Sequence, residues 1–445
     1  MNIDLALRQR AAEGRPIRVA LVGAGATGRA IALQLGTPVP GLTLAGIANR
    51  TPSHAERALR EAGIGRWATS NSPGAVVDSI RAGIPVLTDD PELLVGSPAI
   101  DIVLEVTGTI DFGAQVTLDA IAHGKHTVIV NAELDSTIGP ILKTRADRGG
   151  VVLTNTDGDE PGVAMTLFRY LRTLGLRPVA AGNIKGMVDY HRNPDTQRAF
   201  AEKNDQDAWK VTSFADATKL SMETTVLANA TGFRVGKLGM HGPACANVTE
   251  MAKLLPATDM LSGGIVDYAL GAAPHTGAFV VIHEDNRLKQ AQLAYYKMGD
   301  GPFYVFYTPF HLPYMQIAST IGRAVLYGDA TVTPQDGPRC EVVAMAKKAL
   351  KAGERIDGIG GFTVYGLIDN ADHARSSDAL PIGLAQDCTL RRDVPIDTVI
   401  RFSDVAMPAE RLRDRLWAEQ QARWPAATAA AQRSAYSSVP AAVRS

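Results

Sequence analysis

The run IRVALVGAGATG, residues 17–28, constrains the fold more than any other stretch. Its first half is apolar and rich in β-branched residues, as a strand buried on both faces requires. Gly23, Gly25 and Gly28 follow at once in GxGxxG spacing, and RAIALQL then continues with helical periodicity. Between a strand and a helix such glycines serve a tight turn, a close approach of backbone to pyrophosphate, and helix-to-strand packing. The helix N-terminus adds N–H groups for a phosphate, so Ala24, Ala26 and Thr27 join the glycines as candidate dinucleotide contacts.

Later apolar runs repeat the strand pattern: LTLAGIANR at residues 42–50, IDIVLEVTG at 100–108, HTVIVNAEL at 126–134 and VVLTNT at 151–156. Helical stretches such as SHAERALREAG and DFGAQVTLDAIAHG lie between them, which predicts an open parallel sheet. Residues 63–98 read as an insertion in that alternation. A chain of 445 residues exceeds one hydrophobic core and implies two or three domains. The predicted division is a Rossmann-type α/β dinucleotide domain over residues 1–160, an α/β substrate and dimerisation domain over 161–336, and a small β-rich unit over 337–407. A C-terminal tail follows over 408–445, with the amphipathic segment AERLRDRLWAEQQARW ahead of an Ala/Ser-rich end that reads as disordered.

A net charge of −1 gives no global attraction to nucleic acid or an anionic membrane, so specificity must be local. No run reaches the roughly 18 apolar residues of a membrane span, and the charged N-terminal stretch is not a signal peptide. Cys245, Cys340 and Cys388 have neither disulfide nor zinc spacing, which fits a reducing cytoplasm.

About twenty residues past the glycine turn, where an NAD enzyme usually places an acid on the ribose, stand Asn49, Arg50 and Thr51. An arginine there can pair with a 2′-phosphate, which favours NADP(H) while leaving NAD(H) possible. The alternative is that Arg50 merely opens the next helix. Thr107 and Gly108 after one strand, and Asn131 and Glu133 after the next, fall where an open α/β sheet binds its ligand. Asn131 and Glu133 also suit helix caps.

Four further stretches carry chemistry. TDGDEPG, residues 156–162, offers acids for a divalent cation, but Asp, Glu and Pro are equally what a helix start wants. No metal ligand is assigned from it. Asp216, Lys219 and Glu223 are spaced to share one helical face; surface salt bridging is one reading, but the apolar neighbours Phe214, Leu220, Met222, Val226 and Leu227 leave little room for a solvated helix, and a buried charged stripe would be functional. GNIKGMVDYHRN, residues 182–193, has too little apolar content for core and reads as a polar loop holding Lys185, Asp189, His191 and Arg192. His311 lies among aromatics, where a hydrogen-bonded core histidine and a functional one are both open readings.

Taken together, VALVGAGATG, TDGDEPGVAM, GNIKG, HRNP, TSFADATKLS, LANATG, AKKALKAGERIDGIGGFTVYG and LRRDVPIDTVIRFSDV resemble the homoserine dehydrogenase-like family that carries a C-terminal SAF (β-clip) domain. The resemblance runs over about residues 16–405. That family includes 1-deoxy-D-xylulose 5-phosphate reductoisomerase-like enzymes and D-apionate oxidoisomerase. Homoserine dehydrogenases carry Asn-Lys where this chain has Asn131-Ala132, and Asp-x-x-Arg-Lys-Leu where it has Asp216-Ala-Thr-Lys219-Leu220; both departures point away from homoserine. The resemblance implies alcohol–ketone interconversion on a small polyhydroxylated acid or phosphate, and a homodimer formed through the middle domain. Lys185 and Lys219 would supply the cation that such an alkoxide needs, with Asp216 and Glu223 orienting it or relaying the proton. Asp189, His191, Arg192 and His311 would hold the substrate's oxygens. A plain homoserine-type dehydrogenase and a non-catalytic sensor of a nucleotide or sugar acid are the alternatives.

Overall fold

The computed structural model describes residues 3–425, and the Ala/Ser-rich end lies outside them. The first domain is a seven-stranded parallel sheet in the order β3-β4-β2-β1-β5-β6-β7. Its strands are β1 (Ile17–Val22), β2 (Leu42–Ala48), β3 (Ala68–Thr69), β4 (Val86–Thr88), β5 (Ile102–Glu105), β6 (His126–Ile129) and β7 (Leu153–Asn155). The segment read as an insertion is therefore part of the sheet, supplying its edge strand β3 and β4. Strand order reverses between β1 and β5, and open α/β sheets bind ligands at such a point, outside the strands' carboxyl ends.

The second domain is a four-stranded mixed sheet in the order β11-β10-β8-β9. Its strands are β8 (Arg177–Lys185), β9 (Ile265–Leu270), β10 (Ala278–His283) and β11 (Phe303–Thr308). The helices Glu160–Thr173 and Thr218–Thr231 pack against it through one apolar cluster that includes Val163, Phe168, Leu220, Val226, Leu227 and Val280. The stretch expected to be a polar loop begins inside this sheet: Gly182, Asn183 and Ile184 are buried in β8, and the loop starts only after Lys185. Strand alternation explains this, since Asn183 and Lys185 share one face and Ile184 fills the core on the other.

The third unit pairs β12 (Cys340–Ala346) with β13 (Val364–Asn370) and β14 (Thr389–Leu390) with β15 (Val405–Ala406), both antiparallel. It docks on the Thr218–Thr231 helix, where Gly366 N donates to Thr218 Oγ1 at 2.9 Å. The amphipathic segment assigned to the tail is a helix, Leu412–Arg423, that returns to the first domain and packs on the helices Ile110–Ala122 and Ala132–Arg148. No helix among the described residues is long and apolar enough to cross a membrane.

Candidate functional site

A cleft of about 1010 Å3 opens at the carboxyl ends of β1, β2 and β5. Gly23, Ala24 and Gly25 form one wall, Asn49, Arg50 and Thr51 another, and Thr107 and Gly108 a third. The glycines are sterically required in different ways. Gly23 has φ +108°, and a Cβ there would lie 2.7 Å from the Val106 carbonyl oxygen; a Cβ on Gly28 would lie 2.1 Å from the Gly23 carbonyl oxygen. A Cβ on Gly25 would meet nothing within 4 Å, because it would point into the cleft. Asn49 braces the turn, accepting from Ala24 N at 2.9 Å and donating to the Thr51 carbonyl at 2.8 Å. A dinucleotide fits this volume and these walls. Ala26 and Thr27 begin the helix Ala26–Gly36 and are exposed at its first turn.

Asn131 is not on the cleft wall. It is buried and caps the helix Ala132–Arg148, accepting from Leu134 N at 3.1 Å while its amide donates to the Thr109 carbonyl. Glu133, one residue into that helix, does line the cleft and leads to the charged cluster beyond it.

In that cluster Glu133 Oε2 lies 4.0 Å from Lys219 Nζ, which lies 3.8 Å from Glu223 Oε1. Lys185 Nζ pairs with Glu160 and lies 3.6 Å from Glu223 Oε2. Asn183 Nδ2 donates to Glu160 Oε2 at 2.6 Å and to Glu223 Oε2 at 3.4 Å. His311 Nδ1 lies 3.9 Å from Glu160 Oε1 and 3.0 Å from Thr276 Oγ1. Lys185, Lys219, Glu223 and His311, drawn from three separate stretches of sequence, thus converge.

Burial would lower both lysines, but the surrounding carboxylates outweigh it and hold each above the usual ammonium range: Glu160 and Glu223 around Lys185, and Glu133, Asp159 and Glu223 around Lys219. Burial, with Glu160 beside it, pushes Glu223 up to about 7. Asp159 is raised by burial and by Glu223, and burial lowers His311. Both lysines are thus favoured as cations, and Glu223 is the carboxyl raised towards neutral pH.

Other candidates go elsewhere. Asp216 ends the helix Ala208–Ala215, and the left-handed Ala217 (φ +70°) turns it away from the Lys219 face. Its carboxylate is fully buried against Lys347 Nζ at 2.8 Å, in the third unit. The i, i+3 spacing failed because the helix holding Lys219 and Glu223 starts only at Thr218. Phe214, expected among the buried neighbours, is exposed. Asp189 accepts from Arg192 Nε at 2.9 Å, and His191 Nε2 lies 3.0 Å from Asp397, so this loop faces the third unit.

Sequence reasoning missed Glu160 and Asn183 as members of the cluster. In TDGDEPG the sequence offers only helix-start or metal chemistry for Glu160; it does sit at the first turn of Glu160–Thr173, but it is buried on Lys185. The alternation of GNIKG could have found Asn183. Asp157 goes to Arg323 at 3.2 Å, so the acids of TDGDEPG diverge. Among the described residues no group of three or more His, Cys, Asp and Glu is placed to hold a metal ion.

Residues 17–131 match a family model described as oxidoreductase family, NAD-binding Rossmann fold (GFO/IDH/MocA), and residues 158–317 match oxidoreductase DRL, catalytic domain. A homoserine dehydrogenase from Methylobacillus glycogenes is 32% identical over 120 residues, 27% of this chain. That match spans 26% of the relative, about a quarter of its length. Among solved structures, a probable dehydrogenase from Thermotoga maritima is 14% identical with a TM-score of 0.41, over 72% of this chain and 91% of that one. The apo scyllo-inositol dehydrogenase from Lactobacillus casei is 12% identical with a TM-score of 0.41, over 71% and 89%. The chain thus carries an NAD(P)-binding Rossmann domain of the GFO/IDH/MocA oxidoreductase type and, after it, a catalytic domain of the DRL oxidoreductase type.

Proposed function

We propose that this protein is an NADP(H)-preferring oxidoreductase that interconverts an alcohol and a ketone on a small polyhydroxylated acid or sugar phosphate. The reaction is of the 1-deoxy-D-xylulose 5-phosphate reductoisomerase or apionate oxidoisomerase kind. The observation that carries this reading is the Glu160–Lys185–Lys219–Glu223–His311 cluster, reached from the dinucleotide cleft through Glu133. Gly23, Gly25, Asn49, Arg50, Thr51, Thr107 and Gly108 would hold a nicotinamide dinucleotide, which accepts or delivers hydride when bound. The protein's share is to hold the reacting oxygen and move its proton. Lys219 and Lys185 stabilise alkoxide character on that oxygen, because their carboxylate neighbours keep them charged. Glu223 takes the hydroxyl proton in oxidation and returns it in reduction. Asp216 is reassigned from proton relay to positioning of the helix that carries Lys219 and Glu223.

The NADP(H) preference rests on Arg50 at the cleft wall, with Asn49 standing where an NAD enzyme usually has its acid after the second strand. A SAF-like identity for residues 337–407 rests on the resemblance together with the small antiparallel sheets there. Assembly as a homodimer rests on the resemblance alone, and a cytoplasmic location on the cysteine spacing.

The test is a screen of 1-deoxy-D-xylulose 5-phosphate, apionate, related tetronates and homoserine with both cofactors. Turnover is expected on one of the first three classes with NADPH or NADP, and Lys219→Met is expected to lower kcat about 10²- to 10³-fold. Turnover on homoserine alone, or unchanged rates in both Lys185→Ala and Lys219→Ala, would overturn the assignment. NADH binding at least as tight as NADPH would remove the role given to Arg50.

A further inference from the structure

Residues 205–213, between the helices Pro194–Lys203 and Thr218–Thr231, roof the dinucleotide cleft. At one end Asp205 Oδ2 accepts from Arg29 Nη2 and Arg57 Nη2, each at 2.8 Å. Arg29 lies in the first turns of the helix that leaves the glycine turn, so the roof is tied to the nucleotide domain there. At the other end the Trp209 ring meets Phe362 edge-on at 6.1 Å, and a Cβ on Gly360 would lie 2.0 Å from the Trp209 carbonyl oxygen. That end rests on the third unit. Within this segment Asp207, Trp209, Lys210 and Ser213 face the cleft.

The underside of this roof carries a cation with no partner. Lys210 Nζ rests against the backbone of Gly108, where a Cβ would lie 3.1 Å from it. Among the described residues its ammonium meets no carboxylate or other acceptor, whereas Arg413 on the same cleft is tied to Asp111 at 2.7 Å and to the Gly383 carbonyl. Gly108 follows β5, which neighbours β1 and its glycine turn, so Lys210 lines the same cleft as Gly25. A pyrophosphate on that turn carries two negative charges, and a helix N-terminus offsets only about half a charge.

We infer that Lys210, supplied by the second domain, binds the pyrophosphate of the nicotinamide dinucleotide from the side opposite the glycine turn. The inference rests on the cofactor reading given above. It makes cofactor affinity depend on closure of residues 205–213 over the cleft. The substrate cluster lies beyond Glu133, so Lys210 acts on the cofactor whichever substrate is turned over.

Fluorescence titration with NADPH and NADH tests this without any substrate. Lys210→Met is expected to weaken both cofactors about tenfold, the size of one charge-assisted hydrogen bond, and to flatten the salt dependence of binding. Lys210→Arg should recover most of the loss. Adenosine 2′-monophosphate, which lacks the pyrophosphate, should bind wild type and Lys210→Met alike. Unchanged dinucleotide affinity in Lys210→Met would overturn the assignment, as would an equal loss for adenosine 2′-monophosphate. A wild-type protein that binds neither dinucleotide would instead overturn the cofactor reading itself.

Discussion

Glu223 is the group through which pH should reach the chemistry. Its carboxyl is ionised in the unfolded chain above the ordinary range near 4.5, but burial and Glu160 hold its proton up to about 7 in the folded protein. Oxidation needs the ionised form to accept the hydroxyl proton, so kcat/KM for alcohol oxidation should rise as pH rises through about 7. Ketone reduction needs the protonated form and should fall over the same window. Glu223→Gln should abolish both inflections and lower kcat about 10²- to 10⁴-fold, read from pH–rate profiles in the two directions. A profile unchanged by that substitution would exclude Glu223 as the proton carrier. Lys219 and Glu223 were legible because apolar neighbours leave little room for a solvated helix, whereas Lys185 stood in an apparent polar loop and was singled out by the resemblance alone. Glu160 was not, since a glutamate at a helix start looks the same in sequence whether it faces water or a buried lysine. Asp216 misled for a related reason: side-chain spacing carries information only inside one helix, and Ala217 breaks the helix between Asp216 and Lys219.

The strand–turn–helix unit at residues 17–36 separates fold from function within three glycines. Gly28→Ala places a methyl group 2.1 Å from the Gly23 carbonyl oxygen, so the helix must shift off the strand. Overpacking of that kind costs about 1–3 kcal/mol and should appear as a lower urea midpoint together with weaker cofactor binding. Gly25→Ala has ordinary φ, −70°, and open space, so its melting temperature should match the wild type. Its methyl group would occupy the volume a pyrophosphate needs, so it should still weaken NADPH binding. If Gly25→Ala instead destabilised the apo protein, the turn would be serving packing alone. This element was the most legible in the chain because strand, turn and helix signals are contiguous. The edge of the same sheet was not: β3 and β4 are two and three residues long, too short for any alternation to register.

Contacts between units lay beyond sequence reasoning, because Asp111 meets Arg413, Asp205 meets Arg29 and Asp216 meets Lys347 across long separations that no local period encodes. The last of these ties the third unit to the chemistry. Lys347 Nζ donates to Asp216 Oδ2 at 2.8 Å and to the Gly361 carbonyl at 2.7 Å, and Asp216 Oδ1 accepts from Thr218 N at the head of the helix carrying Lys219 and Glu223. Lys347→Met leaves that carboxylate buried without its counter-charge, a change that costs about 3–5 kcal/mol. The expected result at neutral pH is a melting temperature lower by several degrees, with reduced kcat because the active helix loses its anchor. Burial already raises Asp216 above the ordinary carboxylate range, so the folded state holds its proton more tightly than the unfolded one. Stability drawn from that protonation is full in acid and lost as pH rises, and the lone carboxyl of Lys347→Met would be raised further. The deficit of the variant should therefore shrink as pH falls and Asp216 takes up its proton. Asp216→Asn combined with Lys347→Met removes both charges and should recover much of the neutral-pH loss. A Lys347→Met protein as stable as the wild type at every pH would mean that the third unit is held by its apolar contacts alone.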